Sequence, residues 1–181
     1  MGQKIGNNGK NDIPARGSFL ESSIEESWER CIEYGLNRLN RPKALKVSNR
    51  KLEQLLDEYK DLLSTAYPYI KSLAQALSRN GSTVGLASDE GVLLKVKDKV
   101  NGLMDLGYQR GFVHSELYMG TNAIGMCIET ESPVVIWGEE HFYKGLWDWV
   151  GFAAPIKIDN RLRAVIFAMV PIEFAFRELL E

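Results

Sequence analysis

The chain has 181 residues, of which 45% are hydrophobic and 25% charged, and its formal net charge is −2. This is the usage of an ordinary globular domain rather than of a disordered, collagenous or membrane protein, and a length at which one core suffices without disulfides or a metal. A weakly acidic chain has no basic field to gather phosphate backbones, which argues against direct nucleic-acid binding; no apolar run approaches the ~20 residues of a membrane-spanning helix.

Residues Met1 to Ser18, rich in Gly, Asn and Lys, carry too few apolar side chains to offset the entropy of ordering them, which predicts a mobile tail with no signal peptide. Ser22 and Ser23 precede Glu25 and Glu26 as overlapping capping boxes, and Ile24, Trp28, Cys31 and Ile32 follow at helical spacing, so a helix is expected from near Ser22 to Gly35. Past Arg41-Pro42, Ser48 is placed to cap a longer helix with apolar positions from Leu52 through Tyr59, Ile70 and Leu77. Pro68 is expected to kink or interrupt it, and Asn80-Gly81 to end it.

From Thr83 the period changes to two. Val84 and Leu86, the Asp89-Glu90-Gly91 turn, then Leu93 and Leu94 predict a β-hairpin, followed by a polar loop over Lys95–Asn101 and a helical turn over Leu103–Leu106. The chain then reads as irregular until a short helix over Thr121–Glu129, a strand over Pro133–Trp137 and a helical turn within Glu139–Leu146. Trp149–Ile158 and Leu162–Val170, joined by Asp159-Asn160-Arg161, form a second hairpin, and Pro171 opens a last helix with Ile172, Ala175, Phe176 and Leu179 on one stripe. This order gives an α+β fold whose antiparallel sheet has about five or six strands flanked by helices, since parallel strands would need helical crossovers. The expected division is a tail (1–18), N-terminal helices (19–80), sheet and pocket (81–170) and a signalling helix (171–181), with 19–181 as one structural domain.

Glu116-Leu117-Tyr118-Met119-Gly120-Thr121-Asn122-Ala123-Ile124-Gly125 resembles the E-x-x-x-G-T-N-A-I-G signature of the N-terminal GAF domains of sigma-54-dependent activators of the acetoin and glycerol metabolism type. Ser27-Trp28-Glu29-Arg30-Cys31 with Gly35-Leu36, Glu140-His141-Phe142, and Ala153-Ala154-Pro155-Ile156 resemble further elements of that family, in the same order over residues 22 to about 170. The chain departs from the pattern at Trp149 to Phe152, where the family carries a polar run, and at Asn160 or Arg161 and at Ala164, where it usually carries glycines. The resemblance implies a cytoplasmic, small-molecule-sensing module acting as a dimer. Its ATPase and DNA-binding parts would lie outside this chain if the chain is a fragment.

Gly120 and Gly125 bracket a helix start able to present amides to a ligand, with Thr121 and Asn122 between them; alternatively Thr121 caps the helix and Asn122 satisfies local backbone. Phe142, Trp147, Trp149 and Phe152 either wall a pocket or are ordinary core. His141 is a pocket donor or acceptor, or a helix-end residue bonded to backbone. Glu116 binds a ligand hydroxyl or amine, or forms a surface salt bridge. The expected ligand is a small metabolite closed over by Phe142 to Trp149, with no cofactor and no metal. Two histidines and two cysteines without helical ligand spacing argue against zinc, and Cys31 and Cys127 read as reduced, buried thiols. No nucleophile–base pair or carboxylate dyad stands at an informative spacing, so no enzyme activity is expected. The alternative function is a ligand-free module for dimerisation or protein docking.

Overall fold

The structure, a computed structural model, describes residues 18–77, 81–98 and 100–178. The expected tail, the Asn80 helix end and Leu179 lie outside these residues, apart from Ser18. Helix α1, Ser18–Glu33, is already running at Ser18, four residues before the expected start. It stops as its glycine predicts: Gly35 has φ +74°, its amide donates to the Ile32 carbonyl at 2.9 Å and the Leu36 amide reaches back to Cys31 at 3.1 Å, the paired bonds of a Schellman end. Ser48 accepts from the Lys51 amide at 3.2 Å and opens α2, Asn49–Glu58.

Pro68 does not interrupt the long helix; the break falls at Tyr59, between α2 and α3, Lys60–Leu77. Pro68 and Ser64, whose carbonyl loses its amide partner, are both exposed, so water takes that bond. Tyr59 is held from outside the helix. Its ring is buried and its hydroxyl donates to Asp89 Oδ1 at 2.6 Å, and tertiary bonding of this kind overrides helix periodicity.

Strand β1, Thr83–Ser88, pairs with β2, Leu93–Lys97, as the first hairpin. Lys95 to Lys97, expected in a loop, are strand: β2 is the sheet edge, where lysine is well tolerated, and Val96 packs on the core. Helices α4, Asn101–Asp105, and α5, Glu116–Met119, precede α6, Ala123–Thr130. Then β3, Val134–Trp137, leads through two 3-10 turns, Gly138–Glu140 and Lys144–Leu146, to β4, Trp149–Ile158, and β5, Arg161–Pro171. Pro171 ends β5 opposite Trp149 rather than entering α7, Ile172–Glu178.

All strand pairs are antiparallel in the order β2-β1-β5-β4-β3, the expected α+β architecture with five strands. Strand alternation sends successive side chains to opposite faces. One face of the sheet, with Ile136, Ala153, Val165, Phe167 and Met169, packs under α6 together with Tyr108, Met119 and Ile24 of α1. The other, with Val84, Leu86, Leu94, Ala164 and Ala168, packs on α2 and α3, while Val150, Val170 and Ala175 extend that layer toward α7. No helix among the described residues is long and apolar enough to cross a membrane.

Candidate functional site

Gly120 stands at φ +60°, ψ −166°, a region open essentially to glycine alone. A Cβ there would lie 2.6 Å from that of Phe142. The chain therefore turns under Phe142, whose amide donates to the Thr121 carbonyl at 3.0 Å. Gly120→Ala is expected to cost about 2–4 kcal/mol, combining backbone strain with overpacking. Gly102→Ala, in helix geometry where an added methyl meets open space, serves as the control in the same urea titration and is expected to be unchanged or stabilised by up to about 1 kcal/mol.

Asn122, fully buried, caps α6. Its Oδ1 accepts from the Ile124 and Gly125 amides, both at 3.1 Å, while its Nδ2 donates to the Gly120 carbonyl at 2.8 Å and to that of His114 at 3.2 Å. All of its bonding capacity is spent on this chain's backbone.

Thr121 and Glu116 face α1 instead. Arg30 holds the buried Glu116 carboxylate in a two-pronged grip, Nε to Oε2 at 2.8 Å and Nη2 to Oε1 at 3.0 Å. Ser27 Oγ donates to Oε1 at 2.6 Å and, having given its one proton there, accepts from Thr121 Oγ1 at 2.7 Å. Cys31 Sγ lies 3.7 Å from the same threonine oxygen, and burial raises its thiol pKa. This directed chain, from thiol through two hydroxyls to a carboxylate held by a guanidinium, ties α1 to the turn. It uses most of the polar groups of the Ser27–Cys31 and Glu116–Asn122 motifs.

The remaining expected residues separate. His141 is fully buried, its Nδ1 3.1 Å from the Gly138 carbonyl, and its Nε2 has no hydrogen-bond partner. Burial lowers its pKa to about 4, against a smaller opposing effect of the carbonyl bond. The ring is therefore neutral with its proton on Nδ1, leaving Nε2 as a bare acceptor. Phe142 is buried against Cys31 and Tyr143. Trp147 is half-buried, its Nε1 donating to the His141 carbonyl at 3.2 Å, with Arg38 and Lys144 over its ring at 5.6 and 5.8 Å. Trp149 packs on the α6 side of the sheet, whereas Phe152 packs on the opposite layer. A single pocket wall containing both is thereby excluded, because positions three apart in a strand point to opposite faces.

The family model described as MimR, N-terminal domain, matches residues 15–172. The chain belongs to that family. It is 30% identical over 156 residues to the acetoin dehydrogenase operon transcriptional activator AcoR of Bacillus subtilis, covering 84% of this chain and 26% of that protein. Against the propane 2-monooxygenase operon transcriptional activator MimR of Mycolicibacterium smegmatis it is 29% identical over 158 residues, covering 81% and 25%. The chain thus spans about a quarter of the length of these relatives, which are regulatory proteins rather than enzymes. The Escherichia coli DhaR(N)–DhaL complex contains a chain of similar fold, with TM-score 0.76 and 21% identity over 83% of this chain and 52% of that one.

In this domain the residues that sequence reasoning missed lie around His141. Above Gly151, Ala123 Cβ, His141 Nε2 and Met169 Sδ converge, each 3.0–3.2 Å from where a Cβ would stand. His114, also fully buried, repeats the pattern: its Nε2 bonds the Gly107 carbonyl at 2.9 Å and its Nδ1 has no partner. Its ring packs edge-on to Tyr108, centroids 4.3 Å apart, and Tyr108 in turn faces Phe167 at 6.1 Å. Phe167 and Met169 project from one face of β5, two residues apart. Met119, Met126 and Met169 are all buried in this layer, and methionine repacks more readily than branched or aromatic side chains. Gly151 interrupts an apolar run, a strand glycine of the kind that marks close approach; His114 carried no local signal.

Two hollows open elsewhere on the described surface, of about 390 Å³ beside Pro42, Leu106 and Gly145 and about 440 Å³ beside Leu56, Leu63 and Tyr67. None of the eight expected site residues lines either one.

Proposed function

We propose that this chain is the signal-input domain of a transcriptional regulator, and that it admits a small neutral metabolite between α6 and the sheet. The observation that carries this reading is the bare Nε2 of His141 aimed at Gly151 in an apolar, methionine-bearing interior. A buried acceptor without a donor is costly, and a guest hydroxyl would supply the donor while the methionines moved aside. His114 Nδ1 offers a second such acceptor. An alcohol, diol or hydroxyketone has the required chemistry, whereas a carboxylate would bring a further acceptor without a proton. The operon names of AcoR and MimR support a metabolic signal. By the resemblance to sigma-54-dependent activators, the output would pass through α7 toward an ATPase beyond this segment, with a coupling of typically ~1–3 kcal/mol. Glu116, Thr121, Asn122 and Phe142 then build the roof of the site rather than touch the guest, and Trp147 clasps its edge.

Thermal-shift screening of neutral hydroxylated metabolites and organic acids tests this. A ligand at a hundred times its Kd is expected to add about 2.7 kcal/mol of stability, and His141→Leu, which removes the acceptor while keeping the site apolar, should abolish that gain. Stabilisation that survives in the variant would remove His141 from the site.

A second reading, protein docking or dimerisation without a ligand, is favoured by the filled interior and by the fact that DhaR(N) was solved in a complex with DhaL. Light scattering on the eluting chain tests the homodimer; a monomer at the highest attainable concentration would count against it.

A further inference from the structure

The sheet face away from His141 carries a groove of its own. Between α2, α3, β2 and the loop at Arg110 runs the groove of about 440 Å³. Leu56, Leu63 and Leu94 supply its apolar wall, with the ring of Tyr67 at one end. Its polar rim is all of one sign: Lys60, Lys95 and Arg110, with no carboxylate among the described residues that line it. Lys95 Nζ rests over the Tyr67 ring at 5.1 Å, and none of the three cations forms a salt bridge among the described residues. In a chain of net charge −2 this is a local concentration of unpaired positive charge beside the half-buried Leu56 and Leu63 and the exposed Tyr67.

The geometry points to a docking groove for an acidic, leucine-rich peptide segment of a partner protein. Charge complementarity names the sign of the occupant, since opposite potentials steer and orient association. Shape favours a segment over a compact metabolite. Along α3, Lys60 to Tyr67 covers about 10 Å, and Leu56 extends the groove by a turn of α2, giving room for about four or five extended residues. Lys60, Ser64, Tyr67 and Arg110 remain exposed, whereas a metabolite site encloses about 70–90% of its ligand. Apolar side chains of the segment would lie on the half-buried Leu56 and Leu63 and on the Tyr67 ring, above the buried Leu94, and its carboxylates would meet Lys60, Lys95 and Arg110.

The test uses the full 181-residue chain and a fluorescein-labelled peptide of alternating leucine and glutamate, followed by fluorescence anisotropy. Binding is expected to weaken with added salt. The triple variant Lys60→Glu, Lys95→Glu, Arg110→Glu should lose affinity by about ten-fold or more, given three rim charge contacts, and should gain affinity for a leucine–lysine peptide of equal length. Circular dichroism melts of the variant keep loss of fold apart from loss of binding. The inference is overturned if the leucine–glutamate peptide fails to bind, if the folded triple variant binds it unchanged, or if octanoate binds as tightly as the peptide.

Discussion

Asn122→Ala is expected to destabilise the domain by about 3–5 kcal/mol, since it leaves several buried backbone groups without partners. The side chain serves four of them: the Ile124 and Gly125 amides at the start of α6 and the Gly120 and His114 carbonyls in the preceding loop. Losing a cap alone costs about 1 kcal/mol; the remainder comes from the two carbonyls, which no water reaches beside a fully buried side chain. Asn122→Ser separates the two contributions. Serine keeps an acceptor for the helix amides but cannot span both carbonyls, so it should recover only the capping part. Urea midpoints of the three proteins decide it. A loss for alanine no larger than a cap's worth would show that the bridge between loop and helix carries no stability.

Lowering the pH from 7 to 5 is expected to remove several kcal/mol of stability, even without a ligand. Burial lowers the pKa of both His114 and His141 to about 4, more strongly than their carbonyl bonds raise it. Between that value and the ordinary imidazole value of about 6.5, the unfolded chain binds two protons that the folded chain does not. Stability is therefore complete above about 6.5 and declines as pH falls, on the order of 1.4 kcal/mol per pH unit for each histidine, until the folded rings also titrate near 4. His141→Leu and His114→Leu should each remove about half of the slope. Over this interval ordinary carboxylates remain ionised, so urea midpoints that stay flat from pH 7 to 5 would show that the rings are solvated. The same burial that makes the histidines acid-sensitive keeps their free nitrogens as neutral acceptors, the property on which the proposed guest depends.

Much of the fold was legible in the sequence because its signals are local. Ser48 capped the second helix, Gly35 stopped the first, and the change to a two-residue period at Thr83 marked the first hairpin. Where tertiary bonds decided, the local signal misled: Tyr59 breaks the long helix through Asp89, thirty residues away, while the helix runs on through Pro68 at an exposed position. The four-residue helix Glu116–Met119 is too short to display a period. Motif reasoning found the residues around Gly120 but could not assign their duties, because the Arg30 and Ser27 partners of Glu116 lie more than eighty positions away. The separation of Trp149 from Phe152 followed from strand alternation alone and was open to the sequence.

The central claim is that a guest reaches His141 Nε2 among the methionines. Long-range nitrogen–proton NMR of the histidine rings, recorded with methyl-labelled methionine while a stabilising hydroxylated metabolite is titrated, tests it most directly. The Nε2 resonance of His141 is expected to move to a hydrogen-bonded position as the Met126 and Met169 methyl signals shift, with matching saturation. Stabilising metabolites that leave all three signals in place, or a panel in which no hydroxylated compound stabilises the domain, would contradict it.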